Sequence, residues 1–217
     1  MEKLERNDLY HLFCTVRDVM SSHADELGKM DAMMGDGDLG LTMTKGFRAL
    51  PELILACDSS DIGQTLIQAG MKMAGIVPST MGTLMASGLM GGGKKIVGNP
   101  VLGPQQFADY LSGFAEGIAK RGKCKPGERT VFDAIGPAAH AAQSLLEEHP
   151  KVSLPEVSRQ ALQAAQKGVE ATKDMLPRYG KAAVFADRAI GTIDQGAYAG
   201  YLTLLGYDQY ISNPQKN

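Results

Sequence analysis

The chain has 217 residues, of which 44% are hydrophobic and 6% aromatic, so it is long enough to bury the core of one domain, expected over residues 1–217. Its 22 basic and 24 acidic residues nearly cancel and form no basic stripe with interleaved aromatics, which argues against a nucleic-acid partner. Without a membrane-length apolar run or a signal-peptide pattern, and with three scattered cysteines typical of reduced thiols, a cytoplasmic protein with no membrane association is expected.

Apolar residues recur at helical spacing through most of the chain, in segments 4–20, 62–73, 107–118 and 157–175. Strand-like alternation bounded by hairpin turns is missing, so the pattern predicts an all-α fold. Glycine, proline and aspartate separate seven or eight predicted helices, with breaks at 35–40, 58–61, 77–79, 98–104, 122–127, 150–155, 177–180 and 191–196. Gly122 is predicted to cap the C-terminus of one helix, and Ser153 with Glu156 to form a capping box at the start of another.

An acidic loop follows the first predicted helical region, in the stretch MDAMMGDGDLGLTMTKGF at residues 30–47. Asp31, Asp36 and Asp38 lie within eight positions and are surrounded by methionine, leucine and glycine. Oxygen ligands on a glycine-flexed turn suit a hard divalent cation, with Mg²⁺ the natural candidate. Three carboxylates in an apolar neighbourhood would be costly without such a cation, so these aspartates are candidate metal ligands.

The same loop pattern also occurs in two other kinds of structure, a solvated turn and a calcium-binding EF loop. A solvated Asp-Gly turn is about as common for such a dipeptide, before the apolar surroundings are taken into account. A calcium-binding EF loop would need glutamate at its twelfth position, which from Asp36 is Phe47. The EF interpretation is therefore excluded, and the residues from Leu39 onward are predicted to begin a helix.

Two further loops have features of phosphate binding. In residues 75–95, Ser79 and Thr80 precede a predicted helix of small residues, and exposed amides at a helix start can bind phosphate, although simple capping is the more common role. In residues 185–200, Arg188 and Asp194 flank glycines, and an arginine fork suits phosphate, although a surface arginine is the default. The four histidines lie outside all three loops, so a histidine general base is not expected.

Taken in this order, the loops resemble the nucleotide-binding L subunit of dihydroxyacetone kinases, also called the DhaL or DAK2 domain family. The matching stretches are MDAMMGDGDLG, RGKCKPGERTVFDAIGPAAHA and DRAIGTIDQGA, and the resemblance extends over nearly the whole chain. It implies a closed barrel of about eight antiparallel helices with a nucleotide, ADP or ATP, at one end.

The resemblance also implies roles for individual residues. Asp31, Asp36 and Asp38 would hold a pair of Mg²⁺ ions and, with Arg188, form the catalytic set. The implied nucleotide-binding residues are Leu39, Gly40, Leu41, Thr42, Ser79, Thr80, Gly122, Thr130, Val131, Arg188, Asp194 and Gly196. Leu39 and Thr42 stand where the family commonly has histidine and asparagine, and residues 78–82 replace its Ala-Ser-Gly turn.

In the family, the L subunit supplies the γ-phosphoryl group and a separate K subunit holds the ketose on its own histidine. The resemblance therefore implies a phosphotransferase subunit acting on dihydroxyacetone or a related short ketose such as erythrulose, with a K-type subunit as partner. The phosphoryl donor is either free ATP or a phosphotransferase-system protein that recharges bound ADP. The alternative function is a non-catalytic, regulatory module that binds Mg²⁺ and nucleotide.

Overall fold

A computed structural model describes residues 2–180, 183–184 and 189–213. Regular secondary structure in these residues is helical. The α-helices are α1 (Asp8–Ser22), α2 (Ala24–Ala32), α3 (Leu39–Leu55), α4 (Ile62–Ile76), α5 (Thr80–Lys95), α6 (Pro104–Gly122), α7 (Phe132–Glu148), α8 (Leu154–Ala171) and α9 (Gln195–Ser212), and a 3-10 turn covers Thr172–Asp174. The all-α prediction is therefore confirmed.

Eight of these helices form a closed ring. In chain order α1, α3, α4, α5, α6, α7, α8 and α9 each pack on the next, and α9 packs on α1, while the short α2 lies mainly against α3. Since the helices from α3 to α8 are joined by short loops, neighbours run antiparallel. The N-termini of α3, α5, α7 and α9 consequently face the same end of the ring.

The ring encloses one large hydrophobic core. Its centre contains Phe13, Phe107, Tyr110 and Tyr207, all of them buried. The hydroxyl groups of Tyr110 and Tyr207 lie 2.7 Å apart, so each polar group has a partner inside the core. Burial raises the pKa of both phenols above the ordinary value, which keeps them neutral.

Glycines allow α5 and α6 to approach each other closely. A Cβ at Gly91 would overlap the carbonyl oxygen of Gly113, and a Cβ at Gly117 would overlap the carbonyl oxygen of Ser87. Because these helices meet backbone to backbone, α5 keeps its first turn close to the loop that follows α6. This packing helps to fix the end of the ring where the candidate site lies.

Most predicted breaks fall between observed helices, but three details differ. A break at His23 separates α1 from α2, where the sequence predicted none. The predicted helical segment 157–175 corresponds to α8, which ends earlier than predicted, at Ala171. At the end of α6, Gly122 is the last helical residue and Lys123 takes the left-handed conformation with φ of 54°, so the cap lies one residue later than predicted.

The predicted capping interaction of α8 is present, since the backbone N–H of Ser153 donates to Glu156 Oε2 at 2.9 Å. This bond and the Ser153 hydroxyl lower the pKa of the Glu156 carboxyl. In the described part of the chain, no helix has both the length and the hydropathy needed to cross a bilayer.

Candidate functional site

A cavity of about 350 Å³ opens at the ring end where the four helix N-termini meet. Its wall brings together most of the predicted site residues, although they come from four separate stretches of the chain. The predicted residues that line it are Asp31, Asp36, Asp38, Leu39, Thr42, Ser79, Thr80, Thr130, Val131, Asp194 and Gly196.

The acidic group lies where α2 ends and α3 begins. One carboxylate oxygen from each of Asp31, Asp36 and Asp38 lies within 4.8 Å of the others. Asp31 is buried, while Asp36 and Asp38 are exposed. The Oδ2 atom of Asp31 accepts hydrogen bonds from the backbone N–H groups of Asp38 (3.1 Å) and Leu39 (3.3 Å), so Asp31 folds the loop back on itself.

Glycine is required at two positions of this loop. A Cβ at Gly35 would overlap the carboxylate of Asp31, so only glycine leaves room for that side chain. Gly37 has a φ of 77°, in the left-handed region that glycine adopts without steric cost. The Gly-Asp-Gly-Asp order is therefore the local reason why three carboxylates converge.

The charges on the cavity wall fit a divalent cation. The described lining contains four aspartates and one arginine. A polyanionic ligand could not enter such a wall unless cations came with it, because like charges this close repel strongly. Three carboxylates whose oxygens lie within 4.8 Å of one another supply the hard oxygen ligands that Mg²⁺ prefers, and its remaining positions are usually filled by water and phosphate oxygens.

The starts of α5 and α7 form another part of the wall. Ser79 caps α5 by accepting the N–H of Gly82 at 3.0 Å. In the first turn of α7, the buried Asp133 accepts the N–H of Gly127 (2.6 Å) and of Thr130 (2.7 Å), which closes residues 127–130 into a compact loop. With α3 and α9, these helices direct the positive ends of their dipoles toward the cavity, an arrangement that favours anions such as phosphate.

Arg129 is the cation of the described wall and is held without exposure to solvent. Its Nη1 donates to the carbonyl oxygens of Thr172, Ala189 and Thr192 at 2.8–2.9 Å, and its Nη2 donates to the Thr192 hydroxyl. Its φ of 58° is unusual for a non-glycine residue and orients the side chain inward. Arg129 thus ties the loop before α7 to the segment that leads into α9.

Asp194 lies beside this arginine and caps α9. Its Oδ2 accepts the N–H of Ala197 at 2.7 Å, and its Oδ1 lies 4.0 Å from Arg129 Nε. Burial raises the pKa of the Asp194 carboxyl from 3.8 to about 6, with opposing contributions from the Ala197 N–H and from Arg129. Burial also lowers the pKa of the Arg129 guanidinium.

The structure does not bring every predicted residue to the cavity wall. Gly40 packs against α2, where a Cβ would overlap the carbonyl oxygen of Ala24. Leu41 is 73% exposed and points outward, and Gly122 lies at the end of α6 against Leu84. Arg188 lies outside the described residues, so its place at the site stays a prediction.

Several lining residues were missed by sequence reasoning, among them Arg129, Gln195 and Tyr179. Arg129 and Gln195 reach the site through contacts with residues 43 to 164 positions away in the chain. Tyr179 donates its hydroxyl to the Lys123 carbonyl oxygen at 2.9 Å. The one local signal that could have pointed to Arg129 is its place in the Gly-Glu-Arg-Thr stretch at 127–130, two residues after a turn glycine.

Comparison with known proteins agrees with this geometry. The chain is 32% identical over 183 residues to an L-erythrulose kinase of Pectobacterium atrosepticum, covering 83% of this chain and 31% of that protein. It is 27% identical over 194 residues to the "PEP-dependent dihydroxyacetone kinase, ADP-binding subunit DhaL" of Escherichia coli, covering 89% and 91% of the two chains. The chain thus spans about a third of the first relative and most of the second.

A solved structure shares the fold. The dihydroxyacetone kinase from C. freundii in complex with AMP-PNP and Mg²⁺ superimposes with a TM-score of 0.68 at 21% identity, over 96% of this chain and 35% of that one. The family described as "DAK2 domain" matches residues 33–208, which include the second and third loops, the acidic loop from residue 33 onward, and the ring from α3 into α9. The chain therefore belongs to the DAK2 domain family.

Proposed function

We propose that the chain is the nucleotide-binding phosphotransferase subunit of a dihydroxyacetone-type kinase. It would bind ADP or ATP with Mg²⁺ in the cavity and pass the γ-phosphoryl group to a short ketose held by another subunit. The observation that carries the proposal is the acidic group of Asp31, Asp36 and Asp38 at a cavity onto which four helix N-termini converge. The named relatives are kinases, which supports a phosphotransferase.

The charges of the lining residues indicate which of them would bind the metal and which would bind the phosphates. Asp31, Asp36 and Asp38 would hold Mg²⁺, with two ions proposed. When bound, the ions supply neutralisation of the phosphate charge, which lowers the cost of transferring a phosphoryl group. Ser79, Thr80 and the first turns of the facing helices would orient the phosphates, and Thr130 and Val131 would lie toward the nucleoside. Arg188 would contact phosphate from the segment before α9.

The ketose requires a partner. The described lining contains no histidine, lysine or cysteine, so it offers none of the side chains that commonly bind a ketose covalently. The segments around the opening expose large apolar side chains, Met33, Leu41 and Tyr179. We propose that a K-type subunit docks on this end of the ring, beside residues 36–42, 79–82 and 188–196.

For the substrate we propose dihydroxyacetone or erythrulose, because relatives of both names match this chain. For the phosphoryl donor we propose ATP, either taken up from solution or regenerated in the site from bound ADP. The relative named as PEP-dependent and ADP-binding favours the second possibility, a phosphotransferase-system protein that recharges bound ADP.

Thermal unfolding with ADP and Mg²⁺, together and separately, tests the nucleotide site. ADP with Mg²⁺ at a hundred times the dissociation constant is expected to raise the free energy of unfolding by about 2.7 kcal/mol. Asp38→Asn should lose this stabilisation but keep the fold, because the substitution removes a repelling charge and leaves the shape. Asp18→Asn, at an exposed site on α1, serves as the control and should respond like the parent.

Two results would contradict the proposal in different ways. An unchanged melting temperature of the parent with Mg²⁺ and ADP would exclude the nucleotide site altogether. Equal stabilisation of the parent and Asp38→Asn would retain nucleotide binding but exclude the acidic group as the metal site.

A further inference from the structure

Gln195 is a cavity residue to which neither the motifs nor the family resemblance gave a role. It is the first residue of α9 and follows the capping Asp194. Its Nε2 donates to Asp31 Oδ1 at 3.3 Å. Because an ionised carboxylate can only accept hydrogen bonds, this contact fixes which end of the amide faces Asp31.

The other end of the same amide is an unused acceptor. Gln195 Oε1 is buried, and no donor among the described residues reaches it. Leaving a buried acceptor unsatisfied is costly, so such an atom on a cavity wall indicates a donor supplied by whatever occupies the cavity. Arg129 Nε on the same wall is likewise buried and without a hydrogen-bond acceptor in the described structure.

The position of the amide indicates which occupant supplies that donor. Phosphate oxygens of a nucleotide accept hydrogen bonds at neutral pH, so they cannot satisfy Oε1. A Mg²⁺ ion bound by the acidic group would keep several of its water molecules, whose hydrogens are strong donors. The amide is bonded to Asp31, one of the three candidate ligands, and therefore lies at the metal end of the cavity.

We propose that Gln195 is a positioning residue for the divalent cation. Its N–H group orients the carboxylate of Asp31, and its carbonyl oxygen accepts a hydrogen bond from a water molecule that the cation carries. Outer-sphere partners of this kind orient metal ligands and contribute to metal affinity. The inference rests on the proposed function and adds to it the residue that sets cation affinity.

The test measures ADP binding to the full chain by calorimetry at a series of Mg²⁺ concentrations. Gln195→Met keeps an unbranched side chain of similar length but removes both hydrogen bonds. The Mg²⁺ concentration at half-saturation is expected to rise about tenfold or more. ADP affinity at saturating Mg²⁺ should stay near that of the parent, a separation that a merely structural role would not produce.

The chain offers a matched control in Gln105→Met. Gln105 also lies in the first turn of a helix and donates its Nε2 to a carboxylate, Asp109 Oδ1, at 3.1 Å, but on an exposed face. This variant should keep the parent's half-saturating Mg²⁺ concentration. Gln195→Ser, which also suits a first helical turn, provides a second variant should Gln195→Met unfold.

Three outcomes overturn the inference. The first is a half-saturating Mg²⁺ concentration that is the same in Gln195→Met and the parent. The second is a rise of this concentration in Gln105→Met as large as in Gln195→Met. The third is a loss seen only in the ADP affinity at saturating Mg²⁺. If the parent binds no ADP at any Mg²⁺ concentration, the proposed function fails instead, so the two failures are distinguishable.

Discussion

Asp194 has three roles: it caps a helix, lies beside a buried arginine and lines the cavity. It is buried, caps α9 through the Ala197 N–H, and faces the guanidinium of Arg129 at 4.0 Å. Asp133 adds a second negative charge nearby, which raises the Asp194 pKa further. A carboxyl in these surroundings is held close to neutrality at a pH where exposed aspartates are fully ionised.

The raised pKa of Asp194 predicts a dependence of stability on pH. The folded protein holds this proton more tightly than the unfolded chain does. The protonated carboxyl therefore contributes stability that is fully present below pH 3.8 and is lost as the pH rises through about 6. Asp194→Asn keeps the capping oxygen and removes the titration, so its free energy of unfolding should fall less over this window. Urea unfolding at several pH values between 4 and 7.5 measures the difference.

Asp61→Asn supplies the control for this prediction. Asp61 caps α4 through the N–H of Gln64 at 2.6 Å, as Asp194 caps α9, but at a less buried position. Parallel pH profiles for the parent and Asp194→Asn would show that the Asp194 carboxyl does not titrate in this range.

At the residue scale, sequence patterns predicted the acidic group but not its surroundings. Asp31, Asp36 and Asp38 lie close in the chain, and the intervening glycines mark a turn, so their convergence is a local property. Arg129 contacts Thr172 and Thr192, 43 and 63 positions away, and Gln195 contacts Asp31 across 164 positions. Contacts of this range depend on how the helices pack and leave no periodic signal in the chain.

At the element scale, glycine and proline mark most helix boundaries correctly, because these residues change backbone freedom locally. The break at His23 was missed since the apolar pattern continues from Met20 to Leu27 without either residue. The His23 ring nitrogen lies 2.8 Å from the Val19 carbonyl oxygen, so a side chain satisfies the end of α1 there.

The surroundings of two helical glycines predict opposite effects when each is replaced by alanine. Gly91→Ala would force the helices apart, since its Cβ overlaps the Gly113 carbonyl oxygen, and should destabilise the fold by about 1–3 kcal/mol. Gly75→Ala, in α4, has open space around the added Cβ and should stabilise by about 0.5–1 kcal/mol through helix propensity. Urea unfolding of both variants measures these differences.

These two glycines act as controls for each other, because both lie inside helices. If Gly91→Ala were as stable as the parent, the close approach of α5 and α6 would not be a constraint on the ring. If Gly75→Ala were destabilising, helix propensity would not be the dominant effect at that position.

At the scale of the whole molecule, periodicity was sufficient to predict an all-α fold, whereas ring closure was expected only from the family resemblance. Helical spacing shows which face of each helix is buried but does not specify which other helix covers it. The packing of α9 on α1 joins segments from opposite ends of the chain. It is this closure that brings Asp31 and Gln195 together.

The composition of the cavity wall predicts that the isolated chain will not phosphorylate a ketose at a useful rate. It can position Mg²⁺ and nucleotide, but the described wall has no histidine, lysine or cysteine to hold a small ketose covalently. Positioning accounts for about 7–11 kcal/mol of a barrier, and the share that concerns the ketose would have to come from a partner. ADP release from Mg²⁺-ATP, followed with dihydroxyacetone or erythrulose, should become rapid only when a K-type subunit is added.

Nucleotide hydrolysis without sugar provides the baseline for this assay. Rapid, sugar-dependent turnover by the chain alone would contradict the two-subunit interpretation, because the ketose would then be bound and activated within this chain.

The hydroxyl group of Tyr210, near the end of α9, donates to Asp8 Oδ1 at the start of α1 over 3.1 Å. The first and last helices of the ring therefore meet at the end opposite the cavity, close enough for a peptide linker to join them. A circularly permuted chain opened between α3 and α4, or between α5 and α6, would be cut at the end away from the cavity and would keep the same order of helices. For the same reason the ring can be attached to another polypeptide at one point, with the nucleotide end facing away from the tether.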